Sequence, residues 1–190
     1  YIEDILLGKR FRISVKAFYQ INPIQTEVLY SKAMEFAALS GNGTVIDAYC
    51  GTGTIGIIAA NGAKRVIGVE LNPDAVADAK INAELNGIKN IEFYNGDAGK
   101  FMVDFAAAGE SVDTVIMDPP RAGASLEFLR SLVTLSPEKI VYISCNPETL
   151  ARDVALLMKE GYTPGAVTPV NLFPVTGHVE SVVCLTRSKL

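Results

Sequence analysis

Short apolar runs alternate with longer amphipathic stretches along the chain from residue 44 onward. Continuous apolar runs are typical of strands that are buried on both faces of a parallel sheet. Five strands are predicted, at Thr44–Ala48, Arg65–Glu70, Asn90–Tyr94, Val112–Met117 and Lys139–Ser144. Because helical patterns separate these runs, the pattern predicts βαβ units. The fold class is therefore α/β, with a mostly parallel sheet and helices on both of its faces.

Helix starts are recognisable in the intervening segments. Asn72-Pro73 and Asn146-Pro147 each combine a favourable N-cap residue with a proline at the first helical position. Helices are predicted over residues 54–61, 72–86, 98–107, 125–134 and 147–160, and residues 17–40 also fit a helical pattern. We therefore expect a helical lead-in over residues 1–40 and the main α/β domain over residues 41–190.

The C-terminal segment breaks the alternation of strands and helices. Residues 166–172 and 179–186 both have strand-like patterns, and no helical segment lies between them. Two successive strands without a crossover helix indicate an antiparallel hairpin, either at the edge of the sheet or inserted within it.

Composition and charge exclude several classes of protein. With 49% apolar and 20% charged residues, the chain has the composition of a globular domain rather than a disordered one. No apolar run approaches the ~18 residues of a membrane span, and no signal peptide pattern is present. The net charge is −4, whereas an isolated nucleic-acid-binding protein is more often basic, although residues 1–20 carry a local charge of +2. The first residue is Tyr1 rather than Met, so a longer parent protein is expected.

Three cysteines lie far apart in the sequence. Cys50, Cys145 and Cys184 form no CxxC or Cys/His pair, so no metal site is expected. An odd number of cysteines without a secretion signal favours reduced thiols in the cytoplasm. Packing alone accounts best for Cys50 and Cys184, whereas Cys145 directly follows a predicted strand and precedes a predicted helix.

Polar or reactive residues lie at the end of each of the five predicted strands or directly after it. These residues are Asp47, Glu70, Asp97, Asp118 and Cys145. Ligands bind beyond the carboxyl ends of the strands in an open parallel sheet. The five positions therefore predict one binding site at that edge.

A glycine-rich loop lies between the first predicted strand and its helix. Gly51, Gly53 and Gly56 form a G-x-G-x-x-G string, which fits a dinucleotide site or simply a tight turn. Asp47 directly before the loop would repel a pyrophosphate but suits a ligand with ammonium and sulfonium groups. This favours S-adenosyl-L-methionine over NAD. Glu70 would accept hydrogen bonds from ribose hydroxyls in either case, and Asp97 could bind an adenine amino group.

Two further motifs lie at the same predicted edge. Cys145 directly precedes the helix that starts at Asn146-Pro147, and a helix N-terminus favours a thiolate. Asp118-Pro-Pro-Arg121 follows the fourth strand; its prolines would hold Asp118 rigidly, and Arg121 could pair with a phosphate or with Glu127. If the last strand is antiparallel, its first residues, His178 and Glu180, reach the edge that carries Cys145.

Together these residues resemble the RNA (uracil-5-)-methyltransferase family. The matching motifs are Phe18-Tyr-Gln-Ile-Asn22, Asp47-Ala-Tyr-Cys-Gly-Thr-Gly53, Asp118-Pro-Pro-Arg-Ala-Gly123, Ser144-Cys-Asn-Pro147 and Phe173-Pro-Val-Thr-Gly-His-Val-Glu180. The resemblance implies a class I, Rossmann-like methyltransferase domain over residues 41–190. It also implies methyl transfer to C5 of a uridine, with 23S ribosomal RNA expected first and transfer RNA as the alternative. Family members usually carry an N-terminal RNA-binding domain, which these residues do not contain.

The family's residue roles carry over by motif. Cys145 would be the nucleophile, Glu180 the base, and Asp118 would lie between cofactor and uracil. S-adenosyl-L-methionine would contact Gln20, Tyr49, Gly51, Thr54, Glu70, Asp97 and Asp118. The partner implied is an RNA substrate, and no membrane, metal or protein partner is expected. The competing interpretations are an amine N-methyltransferase, a nicotinamide-dependent oxidoreductase and a non-catalytic RNA-binding module.

Overall fold

The computed structural model describes residues 1–188 and confirms the α/β class. The strands are β1 (Ile2–Leu6), β2 (Lys9–Ile13), β3 (Thr44–Ala48), β4 (Arg65–Glu70), β5 (Ile91–Asn95), β6 (Thr114–Met117), β7 (Lys139–Ser144), β8 (Tyr162–Pro164), β9 (Thr168–Val170) and β10 (Glu180–Arg187). The helices are α1 (Pro23–Ala37), α2 (Thr54–Ala59), α3 (Pro73–Leu85), α4 (Ala98–Ala107), α5 (Leu126–Leu135) and α6 (Pro147–Lys159). None of the helices in this described part is long and apolar enough to cross a membrane.

The main sheet has the strand order β5-β4-β3-β6-β7-β10-β8, with β9 also paired to β10. Strands β3 to β7 are mutually parallel, whereas β10 runs antiparallel to β7, β8 and β9. The predicted C-terminal antiparallel element is thus confirmed, and β10 is inserted between β7 and β8. The strand order reverses between β3 and β6, which is the point where open α/β sheets bind their ligands.

Two predicted segments differ from the structure. The helical lead-in over residues 1–40 is wrong for its first part, because β1 and β2 form an antiparallel hairpin and only α1 is helical. The strand predicted over residues 166–172 is shorter in the structure, where β9 covers only Thr168–Val170, and the separate strand β8 (Tyr162–Pro164) was not predicted. The three residues 165–167 lie opposite two residues of β10, so the register shifts by one between β8 and β9, as in a β-bulge.

Alternate residues of the strands face two separate apolar clusters. Ile46 and Tyr142 belong to the cluster covered by α4, α5 and α6, whereas Val45 and Val141 belong to the cluster that contains α1, α2 and the hairpin. Because successive side chains of a strand point to opposite faces, each buried strand contributes to both clusters. Residues 1–40 therefore share one core with the α/β domain.

Polar side chains of α3 hold the hairpin to that domain. Asp78, Asn82 and the C-cap residue Asn86 lie on one face of the helix and bind the backbone of β2 and the residue that follows it. The five bonds are Arg10 N to Asn86 Oδ1 (3.0 Å), Asn86 Nδ2 to Arg10 O (2.6 Å), Arg12 N to Asn82 Oδ1 (2.7 Å), Asn82 Nδ2 to Arg12 O (3.1 Å) and Ser14 N to Asp78 Oδ2 (2.8 Å). The edge of β2 is thereby satisfied by a helix instead of by another strand.

Candidate active site

A cavity of about 770 Å³ opens at the carboxyl ends of the parallel strands. Its volume lies in the range of pockets that bind cofactors and small substrates. The predicted site residues that line it are Gln20, Tyr49, Gly51, Glu70, Asp97, Asp118, Cys145 and Glu180. Thr54 does not line it and instead faces an adjoining cavity of about 40 Å³, together with Gln20 and Asp118.

Glu70 fixes the glycine-rich loop as well as facing the cavity. One carboxylate oxygen accepts a hydrogen bond from Gly51 N at 3.0 Å, and the other accepts one from Asn72 N at 2.7 Å. The loop turns tightly: Gly53 has φ +81°, and a Cβ atom there would lie 2.9 Å from the Phe93 ring. Since each carboxylate oxygen has a second lone pair, Glu70 still has acceptors for a ligand.

Tyr49 and Asp97 form another part of the wall. Tyr49 has a left-handed backbone with φ 64°, and its ring packs on Phe128 with centroids 5.3 Å apart. Asp97 is exposed and caps α4, because its Oδ1 accepts a hydrogen bond from Lys100 N at 3.0 Å. Aromatic surface and a carboxylate therefore lie side by side, which suits a heterocycle with an exocyclic amine.

Asp47 lies beneath the loop rather than in the cavity. The expectation that its carboxylate faces a cationic ligand is wrong, because Asp47 is 1% exposed and its Oδ2 accepts a hydrogen bond from Gly56 N at 2.7 Å. Its Oδ1 is buried and has no hydrogen-bond partner among residues 1–188. Burial raises the pKa of Asp47 from 3.8 to about 7, despite the opposing effect of the Gly56 bond. Asp47 therefore supports the loop from below.

The Asp47→Asn variant should be more stable than the wild type at pH 8. The folded-state pKa lies above the unfolded-state value, so stability from the protonated carboxyl is full below pH 3.8 and is lost as the pH rises through about 7. The roughly three-unit shift corresponds to at most about 4 kcal/mol. Urea unfolding at pH 4 and pH 8 measures this difference, which should be small at pH 4.

Asp113→Asn provides the matched control for this stability measurement. Asp113 is exposed, although its Oδ2 also accepts a backbone hydrogen bond, from Thr44 N at 2.6 Å. Water reaches this carboxylate, so the variant lacks the burial that acts on Asp47. An equal gain in the two variants would contradict the role of burial at Asp47.

Cys145 and Glu180 come together through strand pairing. Strand β10 runs antiparallel to β7 with Ser181 opposite Ser144, so the next position of that register places Glu180 at the level of Cys145. Both residues line the cavity, and Glu180 is 3% exposed. Burial raises the pKa of Glu180 from 4.5 to about 7. A carboxyl group with such a pKa is suited to accept or donate a proton near neutral pH.

The expected stabilisation of a Cys145 thiolate is wrong for this state of the site. The pKa of Cys145 is raised above 9.0, first by burial and then by the negative charges of Glu180 and Asp118. Its own backbone N–H and Arg121 act in the opposite direction but do not prevail. Burial of the thiol, followed by the two nearby carboxylates, therefore acts against the thiolate that the helix N-terminus was expected to favour.

Asp118 and Arg121 lie on the segment that follows β6, and both line the cavity. Burial and the charges of Glu180 and Asp47 raise the pKa of Asp118 well above its usual value. Arg121 does not pair with Glu127; its Nη2 lies 3.1 Å from His178 Nδ1 instead. Arg121 and His178 are both exposed at the cavity, so a cationic group is available there for an anionic ligand.

Tyr30 is a polar neighbour that the sequence analysis did not single out. It lies on α1, is 5% exposed, and borders the small cavity with Gln20, Thr54 and Asp118. Its pKa is raised well above 10, mainly by burial and by the charge of Asp118, while a hydrogen bond from Gln20 acts in the opposite direction. In the sequence, a tyrosine on the buried face of a helix looks like an ordinary core residue, so no signal indicates that Tyr30 borders the site.

The fold and the site define the class first. Solved structures of S-adenosyl-L-methionine-dependent methyltransferases share this fold, among them one from Streptococcus mutans with a TM-score of 0.75, 14% identity and coverage of 97% of this chain and 55% of that chain. The chain therefore has the class I methyltransferase fold.

The particular family follows from closer matches. The profile described as tRNA (Uracil-5-)-methyltransferase matches residues 7–188, and this chain belongs to that family. An RNA methyltransferase of Halalkalibacterium halodurans is 50% identical over 97% of this chain and 40% of the relative, and one of Oceanobacillus iheyensis is 47% identical over 98% and 40%. The chain thus spans about two fifths of the length of these relatives.

A solved relative matches the fold at higher identity. The Pyrococcus abyssi tRNA (uracil-54, C5)-methyltransferase, in complex with S-adenosyl-L-homocysteine, has a TM-score of 0.85 and 35% identity. The match covers 97% of this chain and 44% of that chain.

Proposed function

We propose that this chain is the catalytic part of an enzyme that methylates C5 of a uridine in RNA, with S-adenosyl-L-methionine as methyl donor. The observation that carries the proposal is the placement of Cys145 beside Glu180 at the β7–β10 pairing, in the cavity that Glu70 and Asp118 also line. A thiol nucleophile and a neighbouring base are the groups that methylation of a weakly nucleophilic ring carbon requires. Family membership supports the same reaction.

The part of the cavity that carries Glu70 and Asp97, called here the acidic half, fits the methyl donor. Glu70 offers acceptors for ribose hydroxyls, and Asp97 offers one for an adenine amino group. Gln20, Tyr49 and Gly51 complete this half, with Thr54 reached through the adjoining small cavity. Carboxylates in a partly buried site also favour a ligand that carries sulfonium and ammonium charges. The S-adenosyl-L-homocysteine bound to the P. abyssi relative supports this assignment.

In the proposed reaction, the Cys145 thiolate adds to C6 of the uracil ring and forms an S–C6 bond. The former C5–C6 π electrons then make C5 part of an enolate, and C5 would bond to the methyl group of the donor as the sulfonium–methyl bond breaks. Glu180 takes the proton from C5, the C5–C6 double bond re-forms, and the S–C6 bond breaks to release the thiolate. Asp118 orients the uracil between donor and nucleophile.

The target base has to leave its stack to reach Cys145. Enzymes that act on a ring atom extrude the nucleotide or use single-stranded RNA. Arg121 and His178 at the cavity supply a cationic contact for a phosphate beside the extruded base. We take 23S ribosomal RNA as the first candidate substrate and the cytoplasm as the location. Transfer RNA is the second candidate, favoured by the activity named for the P. abyssi relative.

RNA containing 5-fluorouridine tests the function directly. Fluorine at C5 cannot be removed as a proton, so the reaction should stop as a covalent adduct of Cys145 with methylated RNA. The protein at its natural length is incubated with S-adenosyl-L-methionine and fluorinated 23S fragments or tRNA, and intact mass is measured. The RNA class that forms the adduct identifies the substrate.

The same assay can contradict the proposal. If ordinary RNA is methylated but the fluorinated RNA forms no adduct, the methylated atom is not C5 of uridine but an amine or another atom. Absence of both products with either RNA class would contradict a uridine methyltransferase activity.

A further inference from the structure

One face of α6 holds the loop that follows β6, which comprises residues 118–124 and is called here the DPPR loop. The side chains of Asn146 and Thr149 both donate hydrogen bonds to the carbonyl oxygen of Arg121, at 3.2 and 3.3 Å. Asn146 is the N-cap residue of α6 and Thr149 lies in its first turn, so both bonds come from the N-terminal end of that helix. The backbone of the DPPR loop is therefore attached directly to the start of that helix.

Asp153 extends the same helix face into the core. It is completely buried, and its Oδ2 accepts hydrogen bonds from Ala124 N at 2.9 Å and from the Tyr142 hydroxyl at 2.7 Å. Arg152 lies 2.7 Å from Asp153 Oδ1 and donates to the carbonyl oxygens of Ala122 and Ala124 at 3.1 and 3.3 Å. A buried carboxylate with all of these partners holds its neighbours firmly, because losing one leaves a polar group unsatisfied.

The DPPR loop approaches this carboxylate too closely for a side chain at Gly123. That residue has φ +79°, and a Cβ atom would lie 2.6 Å from Arg152 Nη2 and 2.7 Å from Asp153 Oδ2. The glycine therefore allows the direct bond between loop backbone and carboxylate.

This network joins the segments that carry the reacting groups. The DPPR loop begins with Asp118 and includes Arg121, whereas Cys145 lies between β7 and α6. Tyr142 is three residues before Cys145 on β7, and Asp153 is two helical turns after it on α6. A displacement of the loop relative to α6 would change the distances of Asp118 and Arg121 from the Cys145 thiol.

We propose that Asp153 and Tyr142 are positioning residues for methyl transfer. They hold the DPPR loop against α6, so that Asp118 and Arg121 keep the distances from the Cys145 thiol that the reaction requires. This proposal rests on the function proposed above. Neither side chain lines the large cavity. Their effect on the reaction is therefore transmitted through the backbone of the loop.

The Tyr142→Phe variant tests this role, with Tyr162→Phe as a matched control. Tyr162 is also a buried tyrosine of the sheet, and its hydroxyl donates a hydrogen bond of 3.0 Å to Pro137 O, far from the cavity lining. Each variant loses one hydrogen bond from a buried phenol, to a buried carboxylate in Tyr142→Phe and to a backbone carbonyl in Tyr162→Phe. We expect a lower melting temperature in both variants, with the larger decrease in Tyr142→Phe, but a decrease in kcat of about 10- to 100-fold only for Tyr142→Phe. The Kd for S-adenosyl-L-methionine should stay within about twofold.

Asp153 variants supply a graded comparison. Asp153→Asn keeps an oxygen that can accept from Ala124 N, so it should retain more kcat than Asp153→Ala. Equal kcat in these two variants and the wild type would overturn the proposal.

A readout on the thiol itself needs no RNA. Alkylation of Cys145 by iodoacetamide is followed from pH 6 to 10, with each cysteine peptide quantified by mass spectrometry. Because Asp118 and Arg121 both influence the Cys145 pKa, we expect the midpoint to move by about half a unit or more in Tyr142→Phe and to stay in Tyr162→Phe. Identical profiles and proportional losses of activity in both variants would overturn the proposal. If the wild type methylates no uridine, the proposed function fails, and the alkylation profile alone decides on positioning.

Discussion

Replacing Cys145 by alanine should abolish methyl transfer to RNA while leaving the affinity for S-adenosyl-L-methionine almost unchanged. Without the thiol, no bond forms to C6, and C5 stays too weak a nucleophile to attack the methyl group. The donor's proposed contacts at Glu70, Asp97 and Tyr49 lie on other elements. We expect a loss of at least about 10⁴-fold in turnover, comparable to removal of a covalent nucleophile in other enzymes. Tritium incorporation into RNA and calorimetric titration of the donor measure the two quantities.

Cys184→Ala is the matched control for this experiment. Cys184 lies on β10 within the sheet, is partly buried, and does not line the cavity. The same atoms are removed, so any effect of thiol loss on folding appears in both variants. If Cys145→Ala retains methylation at the control's rate, the covalent route is wrong.

Glu180→Gln should accumulate methylated RNA that is covalently attached to the protein. Glutamine has nearly the shape of glutamate but cannot take the C5 proton, so the S–C6 bond cannot be broken by elimination. The Cys145 addition step is preserved, and removal of the Glu180 charge even favours the thiolate, because that charge raises the Cys145 pKa. Denaturing gels with labelled RNA, followed by intact mass, detect the adduct.

Glu127→Gln serves as the control for the trapping experiment, since Glu127 is exposed on the first turn of α5. That variant should release free product at the wild-type rate. Release of free product at the same rate by Glu180→Gln would remove Glu180 from the role of base.

Much of the sheet could be predicted because its strands are bounded by local signals. The strands at Thr44–Ala48, Arg65–Glu70 and Lys139–Ser144 were predicted with their observed ends. Each is a short apolar run, and the helix starts after the last two are marked by Asn-Pro at Asn72 and Asn146. Burial and helix capping act over a few residues, so the sequence carries this information directly.

The N-terminal hairpin could not be predicted for the opposite reason. Its strands, Ile2–Leu6 and Lys9–Ile13, are half exposed, and their buried positions are few. Asn82 and Asn86, about seventy residues further on, satisfy the backbone of the second strand. No local pattern in the first twenty residues indicates a partner at that distance.

For the site, topology was more informative than electrostatics. The antiparallel direction of the last strand is sufficient to bring Glu180 to Cys145, and the sequence analysis made this placement conditional on that direction, which the structure shows. The course of the glycine-rich loop could not be predicted from the sequence. Asp47 and Thr54 were therefore expected at the cavity, but Asp47 lies beneath the loop and Thr54 faces the adjoining small cavity. The Cys145 pKa was expected to fall because only the helix N-terminus was visible, while the burial and the two facing carboxylates appear only in the folded chain.

The hydrogen bonds between α3 and the segment of β2 depend on a match between two spacings: every fourth residue of the helix meets every second residue of the strand. Four helical residues advance by about 6.0 Å and two strand residues by about 6.6 to 6.8 Å, so the polar side chains of α3, spaced by four, meet alternate backbone groups of the strand. The two advances differ by under ~1 Å for each hydrogen-bonded side chain, and this difference accumulates, so only a few consecutive side chains can pair in this way. If β2 slipped by one residue along α3, residues whose backbone groups point away from the helix would lie opposite its polar side chains. Asp78, Asn82 and Asn86 therefore set the register of β2 against α3, on the edge of β2 that does not pair with β1.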